Sequence, residues 1–147
     1  LQKRIYRASF RDDFIAVRRL QKTLINSFSA KLLAVRKISQ DNQGKKTAGV
    51  DGVNSLTPKL RLDLVNKITL ITKVAPTRRV WIPKPGKNEK RPLGIPTMKD
   101  RALQKLVQLA LEPEWEAKFE PNSFGFRPGR SCHDAIAEIF CAFCNKP

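Results

Sequence analysis

The sequence predicts an α+β protein, and three observations predict it. Apolar residues recur every three or four positions through most of the chain, the period of amphipathic helices. One stretch, "RRVWIPKPGKNEKRPLGIP" at 78–96, instead sets two short apolar runs on either side of a Pro-Gly turn, the pattern of a two-stranded antiparallel hairpin. A length of 147 residues with 41% hydrophobic content sustains one modest core, so single-domain size is expected.

The elements follow in order. Leu1, Ile5 and Ala8 begin a helical stripe, and Phe14, Val17, Leu20, Leu24 and Phe28 continue it after the break at "SFRDD". Two basic amphipathic helices result, with Ser9 and Asp12 as expected caps of the second and Arg4, Arg7, Arg11, Arg18, Arg19 and Lys22 on the polar faces. "SAKLLAVRKI" reads as a third helix exposing Lys31, Arg36 and Lys37. "QDNQGKKTAGVDGVN" has the composition of a loop without regular structure. "LTPKLRLDLVNKI" returns to helical spacing, with Thr57 or Ser55 as cap and Pro58 in the first turn, where its missing N–H costs nothing. After the hairpin, Ala102, Leu103, Leu106, Val107, Leu109 and Ala110 mark a core helix expected to end or kink at Pro113. Ser131 and Asp134, at capping-box spacing, open a last helix with an apolar stripe of Ile136, Ile139, Phe140 and Phe143. Such a stripe normally packs on more protein.

Charge narrows the function. The chain carries 29 Lys and Arg against 13 Asp and Glu, a formal charge of +16, which opposes compaction unless a polyanion lies nearby. The surplus is local: residues 1–40 hold ten basic and two acidic side chains, residues 73–101 nine and two, and residues 102–147 five and six. Nucleic acid is the partner this pattern fits. No apolar run approaches the ~18 residues of a membrane span, and the three cysteines, an odd number without a secretory leader, point to a reducing compartment. A start on Leu1 and a stop just after a helical pattern suggest a piece of a longer protein.

The hairpin is the densest cation cluster. Pairing through its turn brings Lys84 and Arg91 close to cross-strand opposition. Two such charges about 5.5 Å apart repel by roughly 3 kcal/mol at an effective dielectric of about 20. A bound polyphosphate reverses that sign, an arginine fork chelating oxygens beside a movable ammonium. Arg78, Arg79, Lys87 and Lys90 extend the field. The competing reading is a hairpin edge protected by lysines. Trp81 and Phe124 are candidates for base stacking, Trp81 equally for the core. In "NSFGFRPGRSCHD", Arg127 and Arg130 beside a helix start suit a phosphate, or else Arg127 serves structure by bonding helix carbonyls. Cys132, His133, Cys141 and Cys144 invite a zinc reading, against which stands burial of the cysteines as small hydrophobes.

"KKTAGVDGV" and the long run from "RRVWIPKPGKNEKRPLGIP" to "GFRPGRSCHDAI" resemble the amino-terminal portion of group II intron-encoded reverse transcriptases, or maturases, with a cyanobacterial or plastid-like character. The resemblance implies part of a right-hand polymerase fold. Residues 1–72 correspond to the N-terminal helical extension with its template-side loop, and residues 73–147 to the fingers hairpin, the core helix and the start of a palm-proximal helix. It implies that Lys84 and Arg91 contact the nucleotide triphosphate. Lys45, Lys46, Arg78, Arg79, Lys87, Lys90, Arg127 and Arg130 would lie along template, primer or intron RNA. The implied partners are group II intron RNA, an RNA template, a DNA primer and the palm and thumb, in cis or in trans, with no membrane; the implied location is bacterial cytoplasm or plastid stroma. The family's palm carboxylates, which hold Mg²⁺ for nucleotidyl transfer, are not found in these residues, so no catalytic or metal-binding residue is assigned and the chain alone is expected not to polymerise. The linker "KITLITKVAPT" is shorter than the family's usual connection. A stand-alone RNA-binding module is the alternative.

Overall fold

A computed structural model describes residues 1–70 and 73–144; residues 71 and 72 of the linker and the last three residues lie outside them. Among the described residues there are six α-helices and one hairpin: α1 (Gln2–Phe10), α2 (Phe14–Asn26), α3 (Phe28–Arg36), α4 (Pro58–Lys67), β1 (Arg78–Pro83), β2 (Lys90–Ile95), α5 (Met98–Glu116) and α6 (Cys132–Cys144). The mixed helix-and-hairpin class agrees with the sequence reading.

The core is organised around α5. Its residues Ala102, Leu106 and Ala110, one turn apart, form a buried seam. Ala102 and Leu106 close a cluster with Ala34 and Val35 of α3 and with Val65 and Ile68 at the end of α4. Ala110 closes a second cluster with Ile5, Val17 and Leu24 of α1 and α2. Two alanines in the seam let the surrounding helices approach closely. Truncating Leu106, the large side chain at its centre, would cost about 2–5 kcal/mol.

Pro113 does not end α5, which runs on to Glu116. Proline cannot supply the N–H that Leu109 O would receive. The Gln2 side chain donates to that carbonyl instead, at 3.1 Å from α1. Ser9 Oγ likewise donates to Glu114 O at 3.0 Å. Ser9 is therefore a buried tie between helices and not the expected cap. The cap of α2 is Asp13, whose carboxylate accepts from Ala16 N at 2.9 Å. Asp12 takes the left-handed turn residue at φ 56, a conformation a short polar side chain tolerates.

The Gly-rich segment carries more order than its composition suggested. A π-turn, Lys37–Asp41, extends α3, and a 3₁₀ turn spans Gln43–Lys46. Asp41 stabilises the first by pairing with Lys37 at 3.1 Å and Arg36 at 3.9 Å. Asn42 Oδ1 starts the second by accepting from Gly44 N at 2.9 Å.

α6 opens as expected. Ser131 N and Oγ donate to Asp134 Oδ2 at 2.7 and 2.8 Å, and Asp134 N returns a bond to Ser131 Oγ at 3.3 Å. None of its residues is buried. Ile136, Ile139, Phe140 and Phe143 remain exposed, as do Cys132, Cys141 and Cys144, so the thiols are not the buried small hydrophobes considered above. No helix among the described residues is long and apolar enough to cross a membrane.

Candidate nucleic-acid interface

The hairpin turn is built by its sequence. Lys87 N donates to Lys84 O at 3.3 Å, with Pro85 second and Gly86 third at φ +70, the residues a type II turn requires. Lys84 N donates to Glu89 O at 2.9 Å, which closes the ladder at that pair. The register places Ile82, not Lys84, opposite Arg91. The expected head-on opposition of Lys84 and Arg91 is therefore corrected. Lys84 faces Glu89, and their side chains form an ion pair at 2.6 Å. Strand alternation still puts Arg78, Lys84, Glu89 and Arg91 on one face, with Lys84 and Arg91 as diagonal neighbours, a relation of about 7–8 Å. At that separation the repulsion falls to roughly 2 kcal/mol at a dielectric of about 20, and Glu89 offsets it.

The other hairpin cations, Arg79, Lys87 and Lys90, are exposed, and so are Arg78 and Arg91. Trp81 opposes Pro92 and is 55% exposed, which removes it from the core and leaves its ring accessible beside Arg79.

The loop carrying Lys45 and Lys46 is fastened to the hairpin's base. Arg101 donates from Nε to Pro96 O at 2.9 Å, from Nη1 to Gly44 O at 2.9 Å and from Nη2 to Thr47 O at 2.6 Å. Gly49 presses on the same point: a Cβ there would lie 2.8 Å from Thr97 Cα and 2.9 Å from Pro96 O. Thr97 caps α5 through a reciprocal bond with the buried Asp100. Lys45 is tied at 2.7 Å to Gln40 O, whereas Lys46 is exposed. Sequence reasoning missed Arg101 and Glu89. Arg101's two loop partners lie 57 and 54 residues away, beyond any local pattern.

Both arginines of "GFRPGR" bond to the protein, Arg127 far more fully than Arg130. Arg127 is 8% exposed. It donates to both carboxylate oxygens of Glu116 at 2.6 and 3.1 Å and to the carbonyls of Glu120 and Ser123 at 2.8 and 2.7 Å. With four of about five donors committed, its contacts follow the structural alternative, not template contact. These bonds hold the Glu116 carboxyl below its usual range and raise the Arg127 guanidinium. Arg130 donates to Pro121 O at 2.6 Å and covers one face of Phe124 at 5.2 Å, so that ring is not freely presented to a base. The Ser131 N–H at the helix start is already taken by Asp134. Among the described residues, no three His, Cys, Asp or Glu side chains gather in a metal-binding group. They do not fit the paired Mg²⁺ ions of the polymerase family.

Comparison with known proteins defines the class. Residues 1–68 match the N-terminal domain of reverse transcriptase, and residues 82–146 match reverse transcriptase (RNA-dependent DNA polymerase). Protein YkfC of Escherichia coli is 40% identical over 114 residues, which cover 74% of this chain and 30% of that protein. Group II intron-encoded protein LtrA of Lactococcus lactis is 48% identical over 64 residues, 44% of this chain and 11% of LtrA. Maturase-like protein 1 of Euglena gracilis is 34% identical over 137 residues, 86% of this chain and 28% of that protein. The chain belongs to the reverse transcriptase family of group II intron-encoded proteins and maturases. It spans less than a third of the length of each of these relatives.

Proposed function

We propose that this chain is the fingers side of an RNA-directed DNA polymerase of the maturase type, gripping group II intron RNA and an RNA template. Its basic helices, the loop of Lys45 and Lys46, and the hairpin cations Arg78, Arg79, Lys87 and Lys90 form the RNA surface. Lys84 and Arg91 meet the triphosphate of an incoming nucleotide. Palm carboxylates, their Mg²⁺ ions, the thumb and the DNA primer come from outside these residues, and the exposed apolar face of α6 seats against that remainder. The setting is a bacterial cytoplasm or a plastid stroma.

The supporting observation is the Lys84–Glu89 pair at 2.6 Å, 43% and 66% exposed. An ion pair this exposed is worth about 0–1 kcal/mol. A polyphosphate with several charges can replace a single carboxylate there, and Arg91 on the same face supplies the fork. Glu89 is thus a placeholder that keeps the clamp from repelling itself when empty.

The test is salt-dependent binding of a single-stranded RNA. Neutralising about six phosphates gives a log–log slope near −4. Arg79→Ala makes the slope shallower by about 0.7, whereas Arg91→Ala leaves RNA affinity mostly intact and weakens binding of a nucleoside triphosphate, and Glu89→Gln tightens triphosphate binding about twofold, the effect of one charge at about 7–8 Å in water. A flat salt response removes the reading, and weaker binding by Glu89→Gln removes the placeholder role.

A further inference from the structure

A polar recess of about 460 Å³ lies between the π-turn after α3 and the exposed side of α5, lined by Lys37, Asn42, Arg101, Gln104, Lys105 and Gln108 among others. Its volume falls within the roughly 300–1,000 Å³ of small-molecule sites. Its residues lie outside the loop and hairpin cations assigned above. We infer that it receives one nucleotide, base together with phosphate, of the RNA strand held along the loop; the inference deepens the proposed function and rests on it.

The lining selects that ligand. Asp41 is the acid of the wall, and Lys37 already neutralises it at 3.1 Å, so the recess does not attract a cation. Its polar rim does not suit an apolar helix. Three carboxamides, Asn42, Gln104 and Gln108, offer paired donors and acceptors, the groups that match base edges. Asn42 Oδ1 accepts from Gly44 N, and Gln108 Oε1 accepts from Lys105 Nζ at 3.0 Å, so the NH₂ groups of both amides remain to donate. Lys105 supplies a cation for the phosphate. A π-turn at the rim is a second, independent sign, since such turns are rare and concentrate at functional sites.

Position gives the recess a consequence. Arg101 forms part of its wall while all three of its nitrogens hold Pro96, Gly44 and Thr47 carbonyls. A nucleotide bound there rests on the strut that fixes the loop. Occupancy therefore steadies residues 44–47, coupling a seated base to the position of the Lys46 loop.

The experiment titrates the whole chain with a fluorescent single-stranded RNA and with a ribose-phosphate strand of equal length lacking bases. Gln104→Ala removes no charge and leaves the Lys105–Gln108 bond in place. RNA affinity falls about fivefold, as loss of one hydrogen bond gives, with an unchanged salt slope. Affinity for the abasic strand stays the same. In hydrogen exchange, RNA protects amides 44–47 of the unmodified chain and protects them less in Gln104→Ala. Equal RNA affinity of the variant, or an equal loss on the abasic strand, overturns the recess while leaving RNA binding intact. Failure of the unmodified chain to bind RNA overturns the proposed function, and the recess with it.

Discussion

Substituting Gly49 by alanine tests whether the loop is truly seated on the hairpin's base. The added methyl lies 2.8 Å from Thr97 Cα and 2.9 Å from both Pro96 O and Thr97 N, all backbone atoms that cannot rotate away. Thr97 is itself fixed by its bonds with Asp100, so the loop must lift. Forcing a methyl into such a contact costs about 1–3 kcal/mol. Lifting also stretches the Arg101 bonds to Gly44 O and Thr47 O, now 2.9 and 2.6 Å. Bonds from a charged donor are worth about 1.5–3 kcal/mol each, but Arg101 is only half-buried, and relaxation spares part of both. A net loss of about 2–3 kcal/mol lowers the melting temperature by roughly 6–10 °C for a chain of this size. The assay is thermal unfolding by circular dichroism with hydrogen exchange over residues 44–49. Gly125→Ala, where nothing lies within 4 Å, is the control and leaves both readings unchanged. Wild-type melting and protection in Gly49→Ala would refute the close approach.

Two further outcomes follow from the "GFRPGR" segment. Arg127→Leu lowers the melting temperature more than Arg130→Leu, because it takes the donor from the Glu116 carboxylate and the Ser123 carbonyl and leaves Glu120 O with only the Ser123 N–H, whereas Arg130 has one carbonyl partner; the reverse order would return Arg127 to the RNA surface. The Glu116 carboxyl is held low chiefly by the Arg127 hydrogen bonds and that of Asp134 by the Ser131 hydroxyl. With depressed folded values, their stabilisation is fully present above the unfolded pKa values, about 4.3 and 3.9, and is lost as pH falls through the folded ones. The melting temperature should therefore hold from neutral pH to about 5 and fall below about 4, and Glu116→Gln with Asp134→Asn should flatten that fall. An unchanged acid profile in the double variant refutes the assignment.

What the sequence disclosed was local. The spacing of Ala102, Leu106 and Ala110 announces the buried seam of α5 because a helix face repeats within a few residues. Thr57 before Pro58 and Ser131 before Asp134 announce caps because their partners lie three residues on. Pro85-Gly86 announces the hairpin for the same reason. The losses were of two kinds. Register depends on where the ladder closes, and reading the loop as wider than Pro85–Asn88 put Arg91, not Glu89, against Lys84. Long-range polar ties leave no periodic trace: neither Gln2 rescuing Leu109 O nor Arg101 holding Gly44 and Thr47 is visible in composition. Arg127 was ambiguous because a guanidinium that chelates phosphate also chelates Glu116.

These differences separate a rigid base from a labile tip. At the base, Gly49, Thr97, Asp100 and Arg101 are buried or half-buried, Gly49 packs against the Thr97 backbone, and Arg101 bonds the loop to the start of α5. At the tip, Lys84, Glu89 and Arg91 are exposed, and the pair that joins the strands is worth no more than about 1 kcal/mol. The backbone ladder continues to Lys84 and Glu89, so what is weakly held at the tip is the side chains that carry the cations. A phosphate bound as proposed above would displace only this exposed ion pair, while the base stays tied to α5.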